Sequence, residues 1–321
     1  MDPSRPSLEP PTPPDQPAGL RLRKLPPPTF AARLRERVIE ALLFFAALFS
    51  VFITLGIVCL LLYESALFFR EVSLGEFLFT TTWSVGYQDA RYGILPLVCG
   101  TLVTTTVALL VALPIGTVVA IYLSEYAPFA LREILKPVLE LLSAVPTVIY
   151  GYFALVFVTP LLKGLLPSLP EFNMLSAGIV MGIMIIPYVS SLSEDAMRAV
   201  PALLREGSYA LGANKLTTSV RVVFPAALSG IGAAYILGIS RAIGETMIVA
   251  IAAGQQPVFT LNPTSFGETI TAFIVRISQG DLPHDSIGFK SIFAAGLTLF
   301  VMTLTFNIAG WILRKRFREA Y

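Results

Sequence analysis

The sequence predicts an all-α membrane protein with six transmembrane helices and both termini inside. Three observations carry that expectation. First, the 321 residues are 55% hydrophobic and 14% charged, with a mean hydropathy of +0.74, too little polar surface for a soluble chain of this length. Second, six apolar runs each meet or nearly meet the roughly 20 residues a bilayer requires. Third, lysine plus arginine number 17 in the segments that would face inside against 5 outside, which places N-terminus and C-terminus in the cytoplasm.

Residues 1–37 hold ten of the 24 prolines, including Pro10-Pro11, Pro13-Pro14 and Pro26-Pro27-Pro28. Such a segment cannot bury enough apolar surface to offset its ordering entropy, so it reads as a disordered cytoplasmic tail that ends in a basic stretch. Residues 38–63 form the first span, too long for a signal-peptide core. An extracytoplasmic loop follows over 64–93. The remaining spans are expected at 94–123, 138–162, 174–192, 226–253 and 289–313, and a basic cytoplasmic tail at 314–321. In the outside segment 255–288, Ile270, Phe273, Ile274 and Ile277 recur at helical spacing, fitting a piece that lies on the membrane surface or packs over a pore mouth.

Within the fifth span, Arg241 and Glu245 sit near mid-depth. One ionisable residue there costs about 2.5–3.5 kcal/mol on insertion scales, so a chain carrying two is expected to use them. A structural salt bridge that fixes helix register stays open beside a role on a solute path. The two cysteines, Cys59 and Cys99, and the single His284 supply no metal-ligand spacing. The near-neutral net charge of +2 argues for no nucleic-acid partner.

The longest inside loop, 193–225, reads Glu206-Gly207-Ser208, three residues, Gly212, nine residues, then Val222-Val-Phe-Pro225. Glu206, Gly212 and Pro225 fall at the spacings of the cytoplasmic "EAA" loop of ATP-binding cassette (ABC) import permeases, which this loop resembles. Gly207 and Ser208 stand in place of two alanines, and Phe224 in place of a leucine. The resemblance implies the type I ABC importer permease fold and a coupling helix that docks into an ATPase subunit. Gly207 and Gly212 share Walker A glycine spacing, but Ala213 and Asn214 stand where Lys and Ser/Thr are needed. ATP and its magnesium therefore belong on a separate chain, and no cofactor is expected on this one.

Four further stretches look like the phosphate-specific (Pst) importer permeases: Gly93-Ile-Leu-Pro-Leu-Val-Cys-Gly-Thr-Leu102, Leu123-Ser-Glu-Tyr-Ala127, Val145-Pro-Thr-Val-Ile-Tyr-Gly151 and Arg241-Ala-Ile-Gly-Glu-Thr-Met247. The first and last point to the PstC subunit. That resemblance implies a heterodimer with a PstA-like permease, a PstB-like ATPase dimer and an extracytoplasmic PstS-like phosphate-binding protein. It also implies import by alternating access across a bacterial inner membrane. On this reading Arg241, Glu245 and Thr246 lie on the substrate pathway. A divalent anion entering against about −100 mV faces about 4.6 kcal/mol before any concentration term, so it needs a pump. A permease for molybdate or sulfate, and a phosphate-signalling scaffold, stay open as alternatives. Thr101, Thr104, Thr105 and Thr106 are as readily bonded to their own helix as lining a path. Glu140 and Ser143 fit a cap or a gate, Tyr150 and Gly151 packing or cavity shape, and Cys59 with Cys99 free thiols or a bridge.

Overall fold

The computed structural model describes residues 30–85, 89–280 and 282–316; the expected tail over residues 1–29 and the last five residues lie outside them. The chain divides into two units, Met1–Ile57 and Val58–Tyr321. The first contributes the N-terminal part of helix α1 (Phe30–Phe68), which starts before the expected boundary at 38, so 30–37 is helical rather than tail. Most apolar residues of α1 from Leu34 to Tyr63 are exposed, whereas Phe68 at its end is buried.

Among the described residues, five helices are long and apolar enough to cross a membrane: Leu34–Phe68, Leu95–Tyr126, Thr147–Leu165, Met174–Arg198 and Ile287–Ile312. A bent pair, Lys215–Ala226 with Leu228–Ile243, supplies a sixth and turns by 72° at its break. Counted as one span, that pair brings the number among the described residues to six, and two of the expected continuous helices are broken. The third is divided: α4 (Phe129–Ala144) stops before Val145-Pro146, and α5 (Thr147–Phe153) leads through a wide π-helical turn, Ala154–Val158, into α6 (Thr159–Leu165). Pro146 cannot donate and pushes Val145 to extended backbone (ψ 129°). The Tyr150 hydroxyl crosses the break and donates to the Leu142 carbonyl at 2.7 Å, satisfying one of the orphan acceptors of α4. Gly151 lets α5 close on the next broken span, since a Cβ there would stand 3.0 Å from Ile251. Tyr150 and Gly151 are therefore packing residues.

The expected fifth span, 226–253, holds two helices, α11 (Leu228–Ile243) and α12 (Met247–Ala252), interrupted at Gly244–Thr246. Arg241 consequently lies in the last turn of α11 and Glu245 within the break, so the two do not share one helix. Helix α7 (Met174–Arg198) runs six residues beyond the expected end at 192, so the inside loop begins after Arg198 and not at Ser193. α7 lies along α3 (Leu95–Ile121) at close quarters. Cβ atoms at Gly178 and Gly182 would meet Val107 and the Ala108 carbonyl at 2.7 Å, the small-residue packing membrane helices use. α3, α7 and α12 share one buried cluster with Met181, Met184, Ile185 and Val249 at its centre.

Outside, α2 (Leu74–Phe79) and the antiparallel strands β1 (Trp83–Ser84) and β2 (Arg91–Tyr92) bring Phe68, Phe77, Trp83 and Tyr92 edge-to-face around Phe273. Phe273 belongs to α13 (Ile270–Ser278), whose Ile270, Thr271, Ala272, Phe273 and Ile277 are buried. The helical spacing seen in the sequence is real, and the helix packs inside the protein rather than on the membrane surface. α14 (Ile287–Arg316) closes the chain.

Candidate functional site

Helices α4, α7 and α11 enclose a cavity of about 780 Å³ lined by Glu140, Ser143, Pro187, Tyr188, Ser191, Leu192, Leu237, Ser240, Arg241, Gly244 and Glu245. Arg241 and Glu245 both reach it, and Glu140 and Ser143 join them from the last turns of α4, which favours the gate-side reading of that pair over a cap. Arg241 ends α11. Its guanidinium carbon lies 4.4 Å from the centre of the Tyr188 ring, and Nη2 is 3.7 Å from the Met184 sulfur. Its buried Nε has no hydrogen-bond partner among the described residues. The ring and the thioether hold the cation without neutralising it.

Glu245 does not pair with Arg241; among the described residues no ion pair joins them. Its Oε1 accepts instead from the backbone N–H groups of Met247 (3.1 Å) and Ile248 (3.4 Å), capping a helix whose break frees those donors. The Glu245 carbonyl accepts from the Thr271 hydroxyl at 2.6 Å, tying the break to α13. Thr246 leads into α12 and its hydroxyl donates to Gly244 O at 3.3 Å; it does not line the cavity. The arrangement presents one uncompensated cation beside hydroxyls and carboxylates, which suits an anion that carries a proton to donate.

Three of the four candidate threonines of α3 bond to backbone, while the buried Thr105 hydroxyl has no partner among the described residues. Thr101, Thr104 and Thr106 donate to carbonyls one turn back in their own helix, and Thr101 also accepts from the Ile270 N–H. Cys59 and Cys99 are both free, Cys59 exposed and Cys99 buried with its thiol 3.1 Å from the Thr260 carbonyl.

The inside loop is built as a short helix presented outward. α8 (Ala202–Ala210) buries none of its residues, and Leu203 and Leu211 stand 78% and 90% exposed. Gly212 follows with φ +83°, a backbone setting that favours glycine and lets its N–H and that of Ala213 close the helix on Tyr209 and Ser208. That requirement explains the fixed glycine of the loop pattern. At Gly207 a Cβ would meet nothing within 4 Å, so its smallness is not demanded by this chain's own packing. Pro225 starts the turn before the 72° bend.

A family model described as "binding-protein-dependent transport system inner membrane component" matches residues 112–319. The chain belongs to that family. It is a multi-pass inner-membrane permease with the type I ABC importer fold. "Probable ABC transporter permease protein YqgH" of Bacillus subtilis (strain 168) is 35% identical over 266 residues, 83% of this chain and 84% of that protein. "Probable phosphate transport system permease protein PstC" of Methanocaldococcus jannaschii is 30% identical over 294 residues, 85% and 92% of the two chains. Among solved structures, a bacterial ABC transporter involved in the import of alginate superposes with a TM-score of 0.60 at 15% identity, covering 89% of the permease and all of that chain. At that identity the likeness speaks for the fold alone. As a family, such permeases work with an ATPase and a binding protein.

The permease therefore brings together two of the three residues expected on the substrate path and leaves Thr246 outside. Sequence reasoning missed Tyr188, Ser191 and Ser240. Their signal was faint: Tyr188 follows Pro187 in an otherwise apolar run, Ser191 is one of three serines closing that run, and Ser240 stands beside Arg241.

Proposed function

We propose that this chain is the PstC-type subunit of an ATP-driven importer of inorganic phosphate. The observation that carries the reading is Arg241: a cation facing a cavity beside a helix break, stacked on Tyr188, with a buried N–H that has no partner among the described residues. A charged group at that depth is costly unless a counter-ion visits it, and an oxyanion supplies the missing acceptor. Several relatives bear the name phosphate transport system permease PstC, among them those of Mycobacterium tuberculosis and Haemophilus influenzae, and this supports phosphate as the solute.

In this reading a PstS-like protein delivers phosphate to the outer face, and a PstA-like permease completes the cavity. A PstB-like ATPase dimer, holding ATP and magnesium, grips α8. The permease itself catalyses no reaction and holds no cofactor. Arg241 neutralises the anion in transit, and the free oxygen of Glu245 accepts a hydrogen bond from the hydroxyl of a partly protonated phosphate. A fully deprotonated oxyanion such as sulfate meets that carboxylate as a like charge. The test is uptake of radiolabelled phosphate by proteoliposomes carrying the four-component complex. ATP-dependent uptake that sulfate and molybdate do not compete is expected, and Arg241→Gln should abolish it. Normal uptake kinetics in Arg241→Gln would remove Arg241 from the path.

A further inference from the structure

One motif of the sequence, Leu123-Ser-Glu-Tyr-Ala127, is not absorbed by the cavity. It forms the cytoplasmic end of α3, where the helix widens into a π-helical turn, Tyr122–Tyr126, closed by a 2.8 Å bond from Ala127 N–H to the Tyr122 carbonyl. Such turns carry one extra residue and concentrate at functional positions. Leu123 is buried and anchors the turn. Glu125 is held from its own turn by the Ser124 hydroxyl at 2.9 Å. From across the loop it is held by Arg205, whose Nη2 lies 2.9 Å from Oε1 and whose Nε lies 3.3 Å from both oxygens. The side chains of this pair are 20% and 5% exposed.

Arg205 belongs to α8, the helix presented outward for a partner, yet its own side chain turns inward. Its remaining donors reach the end of α7: Nη1 to the Val200 carbonyl at 2.7 Å and Nη2 to the Met197 carbonyl at 2.8 Å. Those carbonyls lie at a helix C-terminus, where a cation is favoured. One guanidinium thus ties α8 to α3 and α7 together, using the planar fork that lysine lacks. A second grip lies one residue along, with Lys215 Nζ 5.0 Å from the centre of the Tyr126 ring.

We propose that Arg205, seated on Glu125 and on the end of α7, is the positioning residue that passes movement of the docked helix α8 to α3 and α7. These two move as one body because Gly178 and Gly182 bring them into backbone contact, and α7 carries Tyr188 and Ser191 of the cavity. The covalent route from the loop to α11 crosses the 72° bend beyond Pro225, so a route through space that bypasses the bend gives the ATPase a direct hold on the opposite wall of the cavity. The proposal rests on the importer reading above.

The test uses the complete complex in proteoliposomes and two readouts. The first is phosphate moved per ATP hydrolysed. The second is independent of the solute: the ATP-dependent change in thiol labelling of Ser191→Cys, in a Cys59→Ala, Cys99→Ala background. Arg205→Ala and Glu125→Ala should each lower the ratio at least tenfold and flatten the labelling change, while the ATPase still co-purifies. The double variant should be no worse than either single one, and Arg205→Lys should restore only part. An unchanged ratio and labelling change in Arg205→Ala would overturn the proposal, as would loss of ATPase co-purification in proportion to transport, which would make Arg205 a docking residue. A wild-type complex that moves no phosphate but shows the ATP-dependent labelling change would refute the solute alone, and the labelling in Arg205→Ala would still decide the role of the staple.

Discussion

The Arg241 guanidinium rests on the ring of Tyr188, its central carbon 4.4 Å from the ring centre, and not on the carboxylate of Glu245 four residues along its own chain. An arginine N-terminal to a glutamate at this spacing is the weaker order for an intrahelical pair, and the break at Gly244 removes the helix that would align them. A ring attracts the cation by about 1 kcal/mol without occupying its donors. Tyr188→Phe, which keeps the ring, is expected to leave phosphate uptake within about twofold. Tyr188→Leu should lower it by about fivefold, the equivalent of about 1 kcal/mol. Initial uptake rates in proteoliposomes check both.

Glu245 separates two roles that a single substitution would confuse. Its Oε1 caps the Met247 and Ile248 amides, and a cap of this kind contributes about 1 kcal/mol. Glu245→Gln retains that acceptor and loses the charge; Glu245→Ala loses both. The expected result is a thermal midpoint for Glu245→Gln close to wild type and a lower one for Glu245→Ala. Both variants should lose phosphate-over-sulfate discrimination. If the glutamine variant unfolds as readily as the alanine variant, the charge and not the cap stabilises the break.

The sequence carries the spans because each is a long apolar run, but it hides the two breaks because composition stays apolar through them. Pro146 and Gly244 are the only marks, and each is tolerated inside membrane helices where neighbours satisfy the freed backbone. Here Tyr150 does so from 8 residues away and Glu245 from 2 and 3, a relationship that periodicity cannot display. For α13 the spacing of Ile270, Phe273 and Ile277 shows a helix face but not its cover, which comes from Phe77, Trp83 and Tyr92 far back in the chain. Arg205 reads in the sequence only as one more cytoplasmic charge. Its role depends on Glu125, 80 residues away.

Helix α8 offers Leu203 and Leu211 to the cytoplasm at 78% and 90% exposure, an arrangement that makes sense only when another protein covers them. Burying one leucine contributes about 1.5–3 kcal/mol. Leu203→Asp combined with Leu211→Asp should therefore weaken capture of the ATPase by tenfold or more, while the thermal midpoint of the permease alone stays unchanged because neither side chain packs within it. Co-purification at wild-type levels would place the docking surface elsewhere on the loop.

Glu268 gives the extracytoplasmic side a pH dependence. Its carboxyl is fully buried, and that burial raises its pKa above the usual 4.5, with the charge and hydrogen bonds of Arg276 pulling it back part of the way. Arg276 holds it through Nε at 2.6 Å and Nη2 at 3.0 Å. A carboxyl whose folded pKa lies above its unfolded value contributes most below the unfolded value. That contribution is lost as pH rises through the folded one. The segment that leads into α13 should accordingly be more firmly held at pH 5 than at pH 7.5. Hydrogen exchange of the amides of Ile270–Ser278, corrected for the intrinsic pH dependence of exchange, is expected to show greater protection at pH 5. Glu268→Gln should make protection independent of pH over that interval. Protection that falls on acidification would mean that the ion pair with Arg276 outweighs burial.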